Sequence, residues 1–167
     1  MKKILCLLLV IGIFSFNLSV SFAEFSMPLT TVFAVEPIKM LKENLLVPSS
    51  LDLREAGMIG LSVDNKSYNF IVIHYVAENK MGGHSDNFAY VLTTDTLTNM
   101  LSENPTEAEF VISIGDDMKK LGNNYQMHEV LTEVILQYLI NMESWRSNEA
   151  WTDLPVNVVM DMVNYGS

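Results

Sequence analysis

The chain has 167 residues, with 10 Lys and Arg against 20 Asp and Glu, a formal charge of −10, 49% hydrophobic residues and a single cysteine. Acidity on this scale repels nucleic acid and anionic lipid surfaces, whose phosphates need cationic partners. The one cysteine, Cys6, falls in an N-terminal leader, so the remainder has no thiolate nucleophile, no disulfide and no cysteine-ligated metal.

That leader has the order of a secretory signal peptide over residues 1–23. Lys2 and Lys3 are basic, Ile4 to Phe14 is continuously apolar, and Ser21-Phe-Ala23 is a small-x-small cleavage site before Glu24. The apolar run is short against the roughly 20 residues that span a bilayer, which argues against a permanent anchor. Cys6 lies near the start of that run, whereas a lipoprotein needs a cysteine at its end. Cleavage would leave residues 24–167 as a single domain. Loss of Lys2 and Lys3 would take its formal charge from −10 to −12. The expected location is across the cytoplasmic membrane, secreted or kept in the cell envelope, with no membrane attachment once the signal is gone.

Glu24 to Ala34 reads as a lead-in. A helix is predicted to start near Glu36-Pro37, because proline suits a first helical turn. Ile38, Leu41 and Leu45 share one face, and Pro48 stops the helix. Leu51–Arg54 and Met58–Val63 are two short extended candidates, and Asp64-Asn65-Lys66 is a tight turn of residues that tolerate left-handed backbone. Asn65-Lys66-Ser67 fits a glycosylation sequon by chance. Ser67–Ala77 and Asn87–Thr93 alternate with period two around a polar loop containing Gly82-Gly83, which predicts a β-hairpin. Both faces of its first strand are apolar, so that strand should be central, with something packed on each side.

Beyond Thr93, Asp95–Asn104 is a short helix candidate ended by Pro105. Thr106 and Glu109 match a capping box, and Phe110, Val111, Ile114, Met118 and Leu121 space as a helix stripe up to Gly122. The β-branched run Phe110-Val-Ile-Ser-Ile114 and the interrupting Gly115 favour a strand instead; the helix is preferred. Met127–Trp145 is the clearest helix, with a broad apolar stripe of Val130, Leu131, Val134, Ile135, Tyr138, Leu139 and Met142. A polar linker over 146–153 leads to a last short helix from Asp153 through Met162.

The helix end Leu45-Leu-Val-Pro-Ser-Ser50, the strand end Tyr75-Val-Ala-Glu-Asn79 and the loop glycines Gly82-Gly83 are familiar in this order. Over about residues 36–93 the chain resembles a loose group of small exported bacterial α+β domains of unknown function. They share a Pro-Ser-Ser helix end and an Asn-x-x-Gly-Gly hairpin. The resemblance implies a helix against an antiparallel sheet and carries no activity. Met81 stands where that group more usually has an aromatic residue, and the helical region after Thr93 is longer.

Chemistry is sparse. His74, His84 and Asp86 surround the hairpin loop and are the candidate metal ligands, since a hydrolytic zinc needs about three converging nitrogen or oxygen donors. No His-Glu-x-x-His spacing occurs, and a satisfied strand histidine with solvated neighbours is the plainer reading. Ser85 lacks a Gly-x-Ser-x-Gly context, and Gly115-Asp-Asp-Met-Lys-Lys120 lacks the alternating oxygens of a calcium loop. Glu107/Glu109 and Asp116-Asp117 read as a solvated helix end. Gly82-Gly83 lacks the helix of a phosphate loop. Phe70, Tyr75, Phe88 and Tyr90 could line a cleft, but cross-strand packing explains them.

The expected fold is α+β, an antiparallel sheet of three or more strands with helices before and after it, packed mainly on one face. The leading expectation for function is an exported, non-catalytic binding or interaction domain without a cofactor, engaging another envelope or extracellular protein or a peptide. The alternatives are a small metal-assisted hydrolase built on His74, His84 and Asp86, and a structural partner subunit of an envelope complex.

Overall fold

The computed structural model describes residues 29–94, 109–115, 119–121 and 124–165. The expected signal peptide, the helix over 95–104, Thr106, Glu107 and Asp116-Asp117 lie outside them. Six strands form one sheet: β1 (Asp52–Val63), β2 (Lys66–Glu78), β3 (His84–Thr94), β4 (Phe110–Ile114), β5 (Lys119–Leu121) and β6 (Thr152–Asp153). Their order is β5-β4-β3-β2-β1-β6, and every neighbouring pair is antiparallel. Four α-helices accompany the sheet among the described residues: α1 (Val32–Glu43), α2 (Tyr125–Ile140), α3 (Met142–Arg146) and α4 (Val156–Tyr165). The α+β expectation holds. Among the described residues no helix is long and apolar enough to cross a membrane.

The double-sided apolar pattern of β2 is answered by cover on both faces. Ile71, Ile73 and Tyr75 point to one face, where α1 and α4 pack through Ala34, Ile38, Leu41, Val159 and Val163. Phe70 and Val72 point to the other, where α2 packs through Met127, Leu131, Val134, Ile135 and Tyr138. Two of the three longer helices therefore share a face, and the third covers the opposite one. The alternation of side chains along a strand requires this second layer, because a bare face carrying Phe70 and Leu92 would leave large apolar area in water.

Local chemistry sets the connections. Asp64 and Asn65 have φ of 50° and 63°, the two left-handed residues of a tight hairpin turn that sets Val63 opposite Lys66. At the other end of β2 the Asn79 side chain accepts from the backbone N–H of Met81 (2.9 Å) and of Gly83 (3.1 Å), folding the loop around itself. The Pro-Ser-Ser stretch forms a 3₁₀ turn whose Ser50 hydroxyl donates to the Val47 carbonyl (2.7 Å) and accepts from the Glu78 N–H (2.9 Å). It ties the end of β2 to the segment after α1.

Four expectations are corrected. The two short extended stretches before the turn are one 12-residue strand with a register shift between Leu53 and Glu55. Leu53 and Ala56 are three apart, yet both enter the α1 face because the bulge resets the alternation. The helix expected over 106–121 is instead β4 and β5 where it is described, with Gly115 at φ 61° donating its N–H to the Phe88 carbonyl at 3.0 Å. Val111, Ile112 and Ser113 are all buried, so the strand shows no period of two. The first helix begins at Val32, placing Pro37 inside it rather than at its start. The long C-terminal helix breaks at Asn141, separating α2 from α3.

Candidate functional site

Sequence positions 74, 84 and 86 are brought onto the α2 face of the sheet, because directly opposed residues of β2 and β3 share a side. His74 pairs with Phe88 in register and its ring stacks on it, with centroids 4.7 Å apart. Its Nε2 lies 3.1 Å from Asp86 Oδ1. His84 sits opposite Glu78 at the hairpin end, beyond this pair. His74 and Asp86 thus meet, and His84 does not join them: among the described residues no three His, Cys, Asp or Glu side chains are grouped to hold a metal ion. His128 lies in the first turn of α2, remote in sequence from both.

Around His74 the structure assembles residues that no local motif announces. Glu55 is its partner on β1, brought there by the bulge. Arg146 of α3 reaches Glu55 (3.5 Å) and donates from Nε to the Tyr138 hydroxyl (3.3 Å). That hydrogen bond, with the carboxylates of Glu55 and Asp153 nearby, holds the guanidinium pKa above its ordinary value. Behind them lies an aromatic cluster. Phe70 contacts Tyr90, Tyr138 and Trp145 at 5.6 to 6.2 Å between centroids, and Trp151 stacks on Tyr138 at 6.1 Å.

This cluster is filled. The recess bounded by Glu55, Gly57, Val72, His74, Arg146 and Trp151 has no room for a water-sized guest. Trp151 lies across Gly57, where a Cβ would stand 2.7 Å from its Nε1. The aromatics therefore act as core, as cross-strand pairing suggests. Tyr75, grouped with them in sequence, faces the opposite side beneath α1, where burial pushes its phenol up to about 12.

Two surfaces on α2 remain open. Its inner stripe is buried, but Leu136, Leu139 and Ile140 are 56%, 54% and 78% exposed, and Met142 follows at 40%. The sequence stripe was broad enough to include Leu139 and Met142, and the sheet covers only part of it. At the opposite end of α2, a cleft of about 450 Å³ opens between the helix and the β1–β2 turn. Val63, Asp64, Lys66 and Tyr68 line one side, and Gln126, Glu129, Val130 and Glu133 the other. Helical periodicity sets Glu129 and Glu133 away from the apolar stripe, and the fold brings them opposite Asp64.

Neither the protein-family models, nor the curated proteins, nor the solved structures contain a match to this chain.

Proposed function

We propose that the chain is an exported, non-catalytic interaction domain that docks a segment of another extracytoplasmic protein on the outer face of α2. The observation that carries the reading is the exposed strip of Leu136, Leu139 and Ile140 on a helix whose inner stripe is already packed. Their spacing of three and four puts them side by side on the helix surface. The occupant favoured is a short amphipathic segment with apolar anchors and basic flanks. α2 contains no Lys or Arg, and Glu143 stands exposed beside the strip. Three side chains fall well short of the roughly 800 Å² per partner of a stable protein pair, which disfavours a second copy of the chain.

A site-specific photocrosslinker placed at Leu136 tests this, comparing the parent with Leu139→Lys/Ile140→Lys, both checked for folding by circular dichroism. The expected result is one crosslinked protein, joined through an apolar, basic-flanked segment and lost in the double variant, while the purified domain alone scatters light as a monomer. Equal capture by both proteins, or a concentration-dependent dimer that the double variant dissolves, overturns the reading.

A further inference from the structure

The cleft at the start of α2 has features that a solvated acidic face does not explain. Glu129 and Glu133 are one turn apart, so their like charges repel along the helix. Asp64, on the left-handed turn, faces them across the opening. Lys66 is the only cation in the lining, yet among the described residues its ammonium forms no ion pair with any of the three carboxylates. Tyr68 also lines the cleft. It is 7% exposed, and its hydroxyl has no hydrogen-bond partner among the described residues. The ring is packed, and the hydroxyl opens on the cleft, where solvent or a guest can reach it.

We propose that this cleft binds a small organic cation carrying a primary ammonium or guanidinium group. The carboxylates exceed the single lysine by two charges, so the lining attracts a cation and relieves its own repulsion on binding one. The Tyr68 hydroxyl oxygen can accept one N–H of the guest, and Val63 and Val130 offer apolar wall for an alkyl stem. A volume of about 450 Å³ suits a small organic molecule and is far larger than a bare metal ion requires. The lining also lacks a grouped set of three metal-ligating side chains. A free diamine and the side chain of a peptide lysine share this chemistry. The formal charge of −10 over the whole chain adds long-range attraction for either.

Isothermal titration of the intact protein at low ionic strength, with 1,4-diaminobutane and with N-acetyl-lysine amide, tests the proposal. The controls are 1-butanol and calcium chloride. Saturable binding of at least one amine is expected, with no binding of 1-butanol. Glu129→Gln/Glu133→Gln should weaken it by about tenfold or more, since each charge-assisted hydrogen bond contributes on that order. Tyr68→Phe, which keeps the buried ring, should weaken it by a few fold. Binding of the diamine alone marks a free amine as the guest, and binding of the blocked lysine marks a peptide side chain. Leu139→Lys/Ile140→Lys should bind the amine unchanged, so the cleft and the outer strip of α2 succeed or fail separately. No saturable heat with either amine, an equal affinity in Glu129→Gln/Glu133→Gln, or calcium binding as tight as the amine overturns the proposal.

Discussion

Replacing Gly57 by alanine puts a methyl group where the Trp151 ring already lies. The added Cβ would stand 2.7 Å from Nε1 and closer to two ring carbons, whereas carbon atoms pack comfortably at about 3.5–4.0 Å. The ring must move by on the order of 1 Å, and it is held from three directions. It stacks on Tyr138 at 6.1 Å and 13°, its Nε1 donates to Asp153 Oδ1 at 3.1 Å, and β6 pairs Asp153 with Gly57 itself. Overpacking of this kind costs about 1–3 kcal/mol. Loss of the indole hydrogen bond would add about 1 kcal/mol, and the lower chain entropy of alanine in a strand returns about 0.5–1 kcal/mol. The expected net loss is about 2 kcal/mol, or a fall in Tm of roughly 4–8 °C for a domain of this size. Urea unfolding followed by far-UV circular dichroism measures it. The decisive comparison is a double-mutant cycle with Trp151→Ala. Without the indole, Gly57→Ala should be neutral or slightly stabilising. An equal loss in both backgrounds would show that the ring is not what Gly57 accommodates.

Two further outcomes follow from residues on the sheet. Burial raises the Tyr75 phenol to about 12 from an ordinary 10, so below pH 10 folded and unfolded chains are both neutral there. Between pH 10 and 12 the unfolded chain ionises first, and stability should fall by about 2–3 kcal/mol in total. Tyr75→Phe should remove that part of the alkaline loss, and identical pH–stability slopes for parent and variant would refute the assignment. For the zinc reading, elemental analysis of purified protein should find no stoichiometric metal, and His84→Ala should leave zinc affinity in titrations unchanged. A one-to-one zinc content lowered in His84→Ala would restore the hydrolase alternative.

What the sequence announced was whatever its local periodicity could carry. The β2–β3 hairpin shows as two extended apolar runs around a polar Gly82-Gly83 loop, and Asp64-Asn65 fits the left-handed turn it adopts. The misreadings have physical causes. A bulge at Arg54 shifts the phase of β1, so one strand reads as two. β4 is buried on both faces, which erases the period of two and leaves a spacing that mimics a helix stripe. Pro37 lies inside α1 although an interior proline costs a helix about 3 kcal/mol, so its position misled the start. The His74–Asp86 contact was legible because both residues sit on one hairpin. Glu55, Arg146 and Trp151 come from three other segments and have no shared motif. The cleft joins residues 63–68 to 126–133, and only the fold brings those segments together.

The placement of α1 and α4 on the same face has a consequence for how the chain matures. Strands β1 to β4 pair with sequence neighbours, and α2 can close its face as soon as it emerges. The face bearing Ile71, Ile73, Tyr75 and Val91 also needs Val159 and Val163, near the far end of the chain. A chain delivered N-terminus first therefore presents a sheet with one finished side and one β-branched side only part-covered, by α1 alone, until its last helix arrives. Such a half-dressed sheet is prone to pair with its own kind. A holding chaperone would act on that side, and a chain stopped before Val156 would be its most demanding client.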